Sequence, residues 1–253
     1  MKIHAIVQTR VGSTRLPGKV LLKLNGVSLF EFQMNQLRHS KLLDSIVVAT
    51  TINKNDDVLE ELTKSLGVNL FRGNEEDVLD RYYNCAKHYS MEHIVRINGD
   101  APFIDPQIID KVVLFYKNNK FDYVSNFFKK TFPAGTEVEV FSFETLKKTW
   151  ENAKKPSERE HVTPYIYTNP TKFCIGNVAN IENVSNLHWT VDRKEDLDFV
   201  REIYKNIKKT PILLSDILHV LKNKPEILEI NKNTNSLEGY QKSLENDKKQ
   251  SKS

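Results

Sequence analysis

IHAIV, residues 3–7, runs without a break into QTRVGSTRLPGK, residues 8–19. A short apolar run that stops at a loop carrying Gly12 and Gly18 reads as a buried strand with a loop at its carboxyl end. Outward from this stretch the pattern repeats. SLFEFQMNQLRH (28–39) has helical apolar spacing, DSIVVATT (44–51) is a second strand, and DDVLEELTKSLG (56–67) is a helix ended by Gly67. VNLFRG (68–73), EEDVLDRYYNCAKHY (75–89), HIVRI (93–97) and DPQIIDKVVLFYKNN (105–119) continue the alternation. Asp105 and Pro106 supply the last helix with its N-cap and first turn. Strand followed by helix four times over predicts βαβ units with right-handed crossovers. The expected class is α/β, a mainly parallel sheet flanked by helices in three layers.

The second half is less regular. FDYVSN (121–126), EVEVFS (137–142) and HWTV (188–191) read as strands. SEREHVTPYIYT (157–168) opens with a capping box of Ser157 and Glu160, and Pro164 interrupts it. RKEDLDFVREIYKNI (193–207) and DILHVLKNK (216–224) read as helices. The polar segment 231–253 is expected to be a frayed, disordered tail, leaving one domain over 1–230.

Bulk properties narrow the function classes. With 39% apolar residues among 253 and a mean hydropathy of −0.49, the chain suits a soluble protein. No run approaches the about 18 apolar residues of a membrane helix. Cys85 and Cys174 form neither a disulfide framework nor a C-x-x-C motif, which points to a cytoplasmic setting. Two of the four net positive charges belong to the tail, so the body is nearly neutral and offers little footing for nucleic acid.

In an open α/β sheet, ligands bind at the carboxyl ends of the strands, where residues 8–19 lie. Gly12 and Gly18 allow close approach of an anion, and Arg10, Arg15 and Lys19 supply cations. The loop is no Walker A motif. Five residues separate the glycines, and Val20 stands where the magnesium-holding hydroxyl belongs. No G-x-G-x-x-G triplet exists either. The ordinary alternative is a solvated, charged surface loop.

Two aspartates follow other strands. Asp100, in RINGDAPFIDP (96–106), precedes the cap Asp105 and suits a magnesium site facing the loop, or a turn bonding its own backbone. Asp192, in HWTVDRKEDL (188–197), is either a second metal carboxylate or, with Glu195, a capping box.

QTRVGSTRLPGKVL, IVVATT, LFRGNEEDVLDRYY, VRINGDAPFID, GTEVEVFSFETL, EREHVTPYIYTNP and WTVDRKEDLDFV together resemble cytidylyltransferases of the spore-coat polysaccharide biosynthesis type. The CMP-3-deoxy-manno-octulosonate and CMP-acylneuraminate synthetases are wider relatives. The resemblance implies a Rossmann-like nucleotidyltransferase that moves CMP from CTP to a small acidic or phosphorylated acceptor, releasing pyrophosphate. It implies that Arg10, Arg15 and Lys19, with the amides near Gly12 and Ser13, hold the phosphates. Asp100 and Asp192 would carry Mg2+. Gln8 at the first strand's end, Arg72, Arg81 and Asn98 are candidates for the nucleotide, although Asp77 and Arg81 are also spaced to pair on a helix.

Glu137, Glu139, Arg159 and His161 are candidates for the acceptor, against a solvated sheet face for the glutamates and a structural role for the histidine. A homodimer through region 127–187 is compatible with the family. The rival readings are a nucleotide-sugar-dependent glycosyltransferase, which NGDAP disfavours because it lacks an Asp-x-Asp motif, and a catalytically silent nucleotide-binding subunit.

Overall fold

The structure, a computed structural model, describes residues 1–234 and 238–250. Its first half follows the periodicity closely. β1 (Ile3–Gln8) leads through a small ribbon, β2 (Lys23–Leu24) and β3 (Val27–Ser28), into α1 (Leu29–Leu37). Then come β4 (Ser45–Thr51), α2 (Asp57–Leu66), β5 (Asn69–Gly73), α3 (Val78–His88), β6 (His93–Asn98) and α4 (Pro106–Lys117). The second half holds β7 (Tyr123–Ser125), β8 (Glu139–Ser142), α5 (Phe143–Asn152), α6 (Pro156–His161), α7 (Pro164–Tyr167), β9 (Ile175–Asn177), α8 (Lys194–Lys205), α9 (Leu214–Asn223) and α10 (Glu238–Gln250).

Seven strands form one sheet in the order β5–β4–β1–β6–β8–β7–β9. β5, β4, β1 and β6 are parallel, whereas β8 runs antiparallel to both β6 and β7. Helices cover both faces of the sheet, so the side chains that alternate along each strand are buried on either side. Ile3, Ala5 and Val7 of β1 meet α1, α2 and α4, while Ile6 meets α3, α5 and α7. A third cluster, centred on Trp189, joins the outer side of α1 to α8 and α9. The expected three layers are present, with a mixed rather than uniformly parallel second half.

Register positions the site. Gln8 pairs with both Ala49 and Asn98, so the carboxyl ends of β1, β4 and β6 finish side by side. Gly99 N–H donates to Gln8 O at 2.8 Å, and a Cβ on Gly99 would stand 2.6 Å from both that oxygen and Thr9 Cβ. Gly99→Ala must therefore push two strand ends apart. We expect a loss of about 1–3 kcal/mol, the usual cost of overpacking, read from the urea midpoint at unchanged slope.

Several expectations are corrected. HWTV is not a strand; it makes a single bridge, Ala134 with His188, and then Val191 N–H donates to Asp100 O at 2.8 Å. Ser157 and Glu160 form no capping box. Glu158 instead accepts from the amides of Lys154 (2.9 Å) and Lys155 (3.1 Å). The segment 231–253, expected to be disordered, contains α10, seated on α6 and α7; its residues 235–237 and 251–253 lie outside the described residues. Asp247 accepts from Ser157 N and Oγ at 2.9 and 2.5 Å, and the hydroxyls of Tyr240 and Tyr167 are 3.3 Å apart. This docking is largely polar, which is why low hydropathy reads as disorder.

Candidate active site

The loop after β1 is held from beneath by a buried acid. Asp56 accepts from Val11 N–H at 2.7 Å, from Thr50 Oγ1 at 2.8 Å and from Thr51 N–H at 3.1 Å, tying the loop to the end of β4. Gly18 then turns the chain with φ +67°, a left-handed conformation that favours glycine, and delivers Lys19 to the cleft.

Lys19 Nζ lies 3.2 Å from Asp100 Oδ2 and 2.8 Å from Asp192 Oδ1. Arg15 reaches the same Asp192 oxygen at 2.7 Å. Burial opposes the charge of Lys19, but the two carboxylates more than offset it and hold its pKa above the ordinary lysine value. Burial likewise works against the charge on Asp192, and Lys19 followed by Arg15 holds its carboxyl below the usual range. Asp192 is available for this role because it does not cap α8. Asp196 caps instead, accepting from the amides of Asp192 (3.0 Å) and Arg193 (2.9 Å). The capping box thus uses Asp196 rather than Asp192 with Glu195.

These residues border a cleft of about 520 Å³ at the strand ends. Gln8, Arg10, Ser13, Arg15, Lys19, Arg81, Asn98, Asp100, His161 and Asp192 all line it. Gly12 belongs to the same loop but lies outside the lining. Among the described residues, seven buried side-chain polar atoms have no partner, and four of them belong to this lining: Gln8 Oε1, Thr9 Oγ1, Arg81 Nε and Asp100 Oδ1. Each such group costs about 1–3 kcal/mol when left unsatisfied, so their concentration here marks a place built for a polar ligand.

Arg81 is buried and donates to Asn74 O at 3.0 Å, not to Asp77. Burial depresses its pKa, which leaves a desolvated guanidinium beside the cleft.

Two carboxylates with one bare oxygen fit a hard divalent cation that takes its remaining ligands from phosphate and water. The described residues offer no group of three or more acidic, histidine or cysteine side chains that could hold a metal alone.

Other candidates are placed elsewhere. Arg72 is held by Asp57 at 2.7 Å and by the carbonyls of Thr51 (2.9 Å) and Asn53 (2.7 Å) on the outer side of β5. Arg159 pairs with Asp77, the N-cap of α3, and donates to Trp150 O at 2.9 Å. Glu139 is buried in an ion pair with Arg96, and Glu137 accepts from Gly135 N–H at 2.7 Å. None of these four lines the cleft, because each has a nearer partner.

Residues 4–243 match the model of a family described as cytidylyltransferase. The chain belongs to the cytidylyltransferase family. It is therefore a nucleotidyltransferase, similar to the spore-coat polysaccharide biosynthesis protein SpsF of Bacillus subtilis (31% identity, covering 87% of this chain and 94% of that one). It is 45% identical to an uncharacterised protein of Methanocaldococcus jannaschii, covering 92% of this chain and 96% of that one. A solved cytidylyltransferase of Leptospira borgpetersenii superposes with a TM-score of 0.88 at 34% identity, covering 93% and 98% of the two chains.

Within this cytidylyltransferase, residues missed by sequence reasoning complete the cleft. Asp56 supports the loop, and Glu75 pairs with Arg10 at 2.9 Å. From α10, Glu238 faces Arg15 at 3.9 Å, while Lys242, Ser243 and Asn246 line the opposite wall with Glu160. The only sequence signal for Asp56 was an acid soon after a strand, which reads equally well as a helix start. Among the described residues no helix is long and apolar enough to cross a membrane.

Proposed function

We propose that this cytidylyltransferase transfers CMP from CTP to the hydroxyl of a small acidic or phosphorylated acceptor, an acid sugar for surface polysaccharide, and releases pyrophosphate. The observation that carries the reading is Lys19 standing between Asp100 and Asp192, beneath a cation-bearing loop at the ends of in-register strands. SpsF, named for polysaccharide biosynthesis, supports the acceptor class.

Arg10, Arg15 and Lys19 neutralise the β- and γ-phosphates and stabilise the departing pyrophosphate. Gln8, Arg81 and Asn98 offer polar atoms to the nucleoside, while Ser13 and its neighbours face the phosphates. Asp100 and Asp192 would hold Mg2+. A bound magnesium ion would supply charge neutralisation and polarise the reacting phosphate. Lys19 then exchanges carboxylate partners for phosphate oxygens, so it remains paired in both states.

Thermal stabilisation by CTP, UTP, ATP and GTP, each with and without magnesium, tests this reading. Selective stabilisation by CTP with magnesium is expected, about 2.7 kcal/mol at one hundred times Kd. No stabilisation by any nucleoside triphosphate, together with a shift by a nucleotide-sugar, would replace it with the glycosyltransferase.

A further inference from the structure

We propose that His161 is the base that takes the proton of the acceptor hydroxyl, at Nδ1, and that Ser243 of α10 is the positioning residue that keeps its other nitrogen protonated. The proposal deepens the CMP-transfer reading and rests on it.

The hydrogen bonds determine the tautomer. His161 Nε2 is 2.9 Å from Ser243 Oγ. That hydroxyl has one proton, and it has two acceptors for it, Glu160 Oε2 and Gly239 O at 3.1 Å. An ionised carboxylate is a stronger acceptor than an imidazole nitrogen, so the Ser243 proton goes to Glu160, Ser243 Oγ accepts from His161, and Nε2 carries the hydrogen. Nδ1 is then the bare nitrogen, and it has no hydrogen-bond partner among the described residues.

The charged groups that act on the ring are Glu160 on its own helix, Arg96 on β6, Glu139 on β8 and Asp247 on α10, and Lys242 of α10 lines the same cleft. Tyr240 of α10 meets it edge-on, with ring centroids 5.0 Å apart. Burial, ahead of the opposing pull of Glu160, holds the imidazole below its ordinary pKa, so it is neutral near pH 7.

The backbone supports the same conclusion. Val162, directly after His161, has φ +72°, a strained conformation for a β-branched residue. Such strain persists where the surroundings over-determine it, and it clusters at functional sites. Here Thr163 N–H donates to His161 O at 2.8 Å, and Thr163 Oγ1 donates to the buried Glu139 at 2.5 Å. The turn presents His161 to the cleft at the cost of an awkward Val162.

In the proposed step, the acceptor oxygen forms a bond to the α-phosphorus while the bond to pyrophosphate breaks. The hydroxyl proton passes to Nδ1, leaving an imidazolium that returns it to solvent. Neutral His161 is the working form, so turnover falls as pH drops through its pKa and is level above it.

The test uses the full chain with ¹⁵N-labelled histidine. Long-range ¹H–¹⁵N spectra at pH 7.5 are expected to show His161 protonated at Nε2 and bare at Nδ1. Ser243→Ala should draw the two nitrogens toward each other's shifts, and Ser243→Thr, which keeps the hydroxyl, should not. An Nδ1-protonated ring, or spectra indifferent to Ser243→Ala, would overturn the proposal. His161→Gln should be stabilised by magnesium and CTP as fully as the unaltered protein; loss of that shift would assign His161 to the nucleotide instead.

With 3-deoxy-manno-octulosonate and N-acetylneuraminate as probe acceptors, His161→Gln should lower kcat about 10²–10⁴-fold at unchanged CTP KM. An undiminished kcat would also overturn the role as base. Absence of CTP binding in the unaltered protein would instead strike at the CMP-transfer reading.

Discussion

Asp100→Asn is expected to lower magnesium-dependent pyrophosphate release by about 10³-fold while leaving the melting midpoint nearly unchanged. The amide keeps the shape of the carboxylate but loses its charge, and it is Asp100 Oδ1 that lies buried with no partner. That oxygen has no structural bond to lose. Lys19 keeps its 2.8 Å contact with Asp192, which Arg15 also holds, so the fold retains its cross-link between the first loop and the segment before α8. A loss of stability matching the loss of activity would mean that Asp100 is structural. Turnover within tenfold of the unaltered enzyme would remove the metal assignment.

Glu139→Ala is expected to destabilise the protein by about 3–5 kcal/mol, because it strands a buried guanidinium. Arg96 and Glu139 have side chains only 8% and 1% exposed, and they pair across β6 and β8. Burial opposes the charge on Arg96, and the paired carboxylate of Glu139 more than offsets that cost. Glu139 also accepts from Tyr123 Oη at 2.6 Å and from Thr163 Oγ1, so its removal leaves three donors unpaired. For a domain of this size the expected fall in melting temperature is roughly 10 °C.

The double substitution Arg96→Met with Glu139→Leu should recover much of that loss, since an apolar pair has no charge to desolvate. If Glu139→Ala alone left the midpoint in place, the pair would not be buried as described. Because Thr163 is one of the stranded donors, the same substitution frees the strained turn at Val162 and should reduce turnover as well.

These two expectations differ in how far each could be read from the sequence. The position of Asp100 is legible: an acid just after a strand stands beside the glycine- and arginine-bearing loop, and in the fold it meets Lys19 of that loop. Glu139 was misread. The alternation EVEV places two glutamates on one face, and a polar face ordinarily meets water. In the fold that face of β8 lies inside the sheet beside Arg96, so the carboxylate answers a buried cation rather than an acceptor. Arg72 and Arg159 failed for a related reason. A guanidinium at a strand end or helix start advertises anion binding, and its sequence does not reveal that Asp57 or Asp77 reaches it first.

What the sequence by itself determined is local. Apolar period, cap residues and turn residues specify the four βα units. The same information sets Arg10, Arg15, Lys19 and Asp100 just beyond strand ends, because backbone and burial rules act over a few residues; Asp192 follows no strand and is brought to them by the fold. What only the tertiary structure decided is pairing over distance. Asp196 takes the cap that would have occupied Asp192, and Asp56 reaches across to brace the first loop. α10 docks on α6 through hydroxyls and carboxylates rather than apolar side chains. A polar contact stabilises only when both partners meet in the right geometry, and that geometry is a property of the assembled fold.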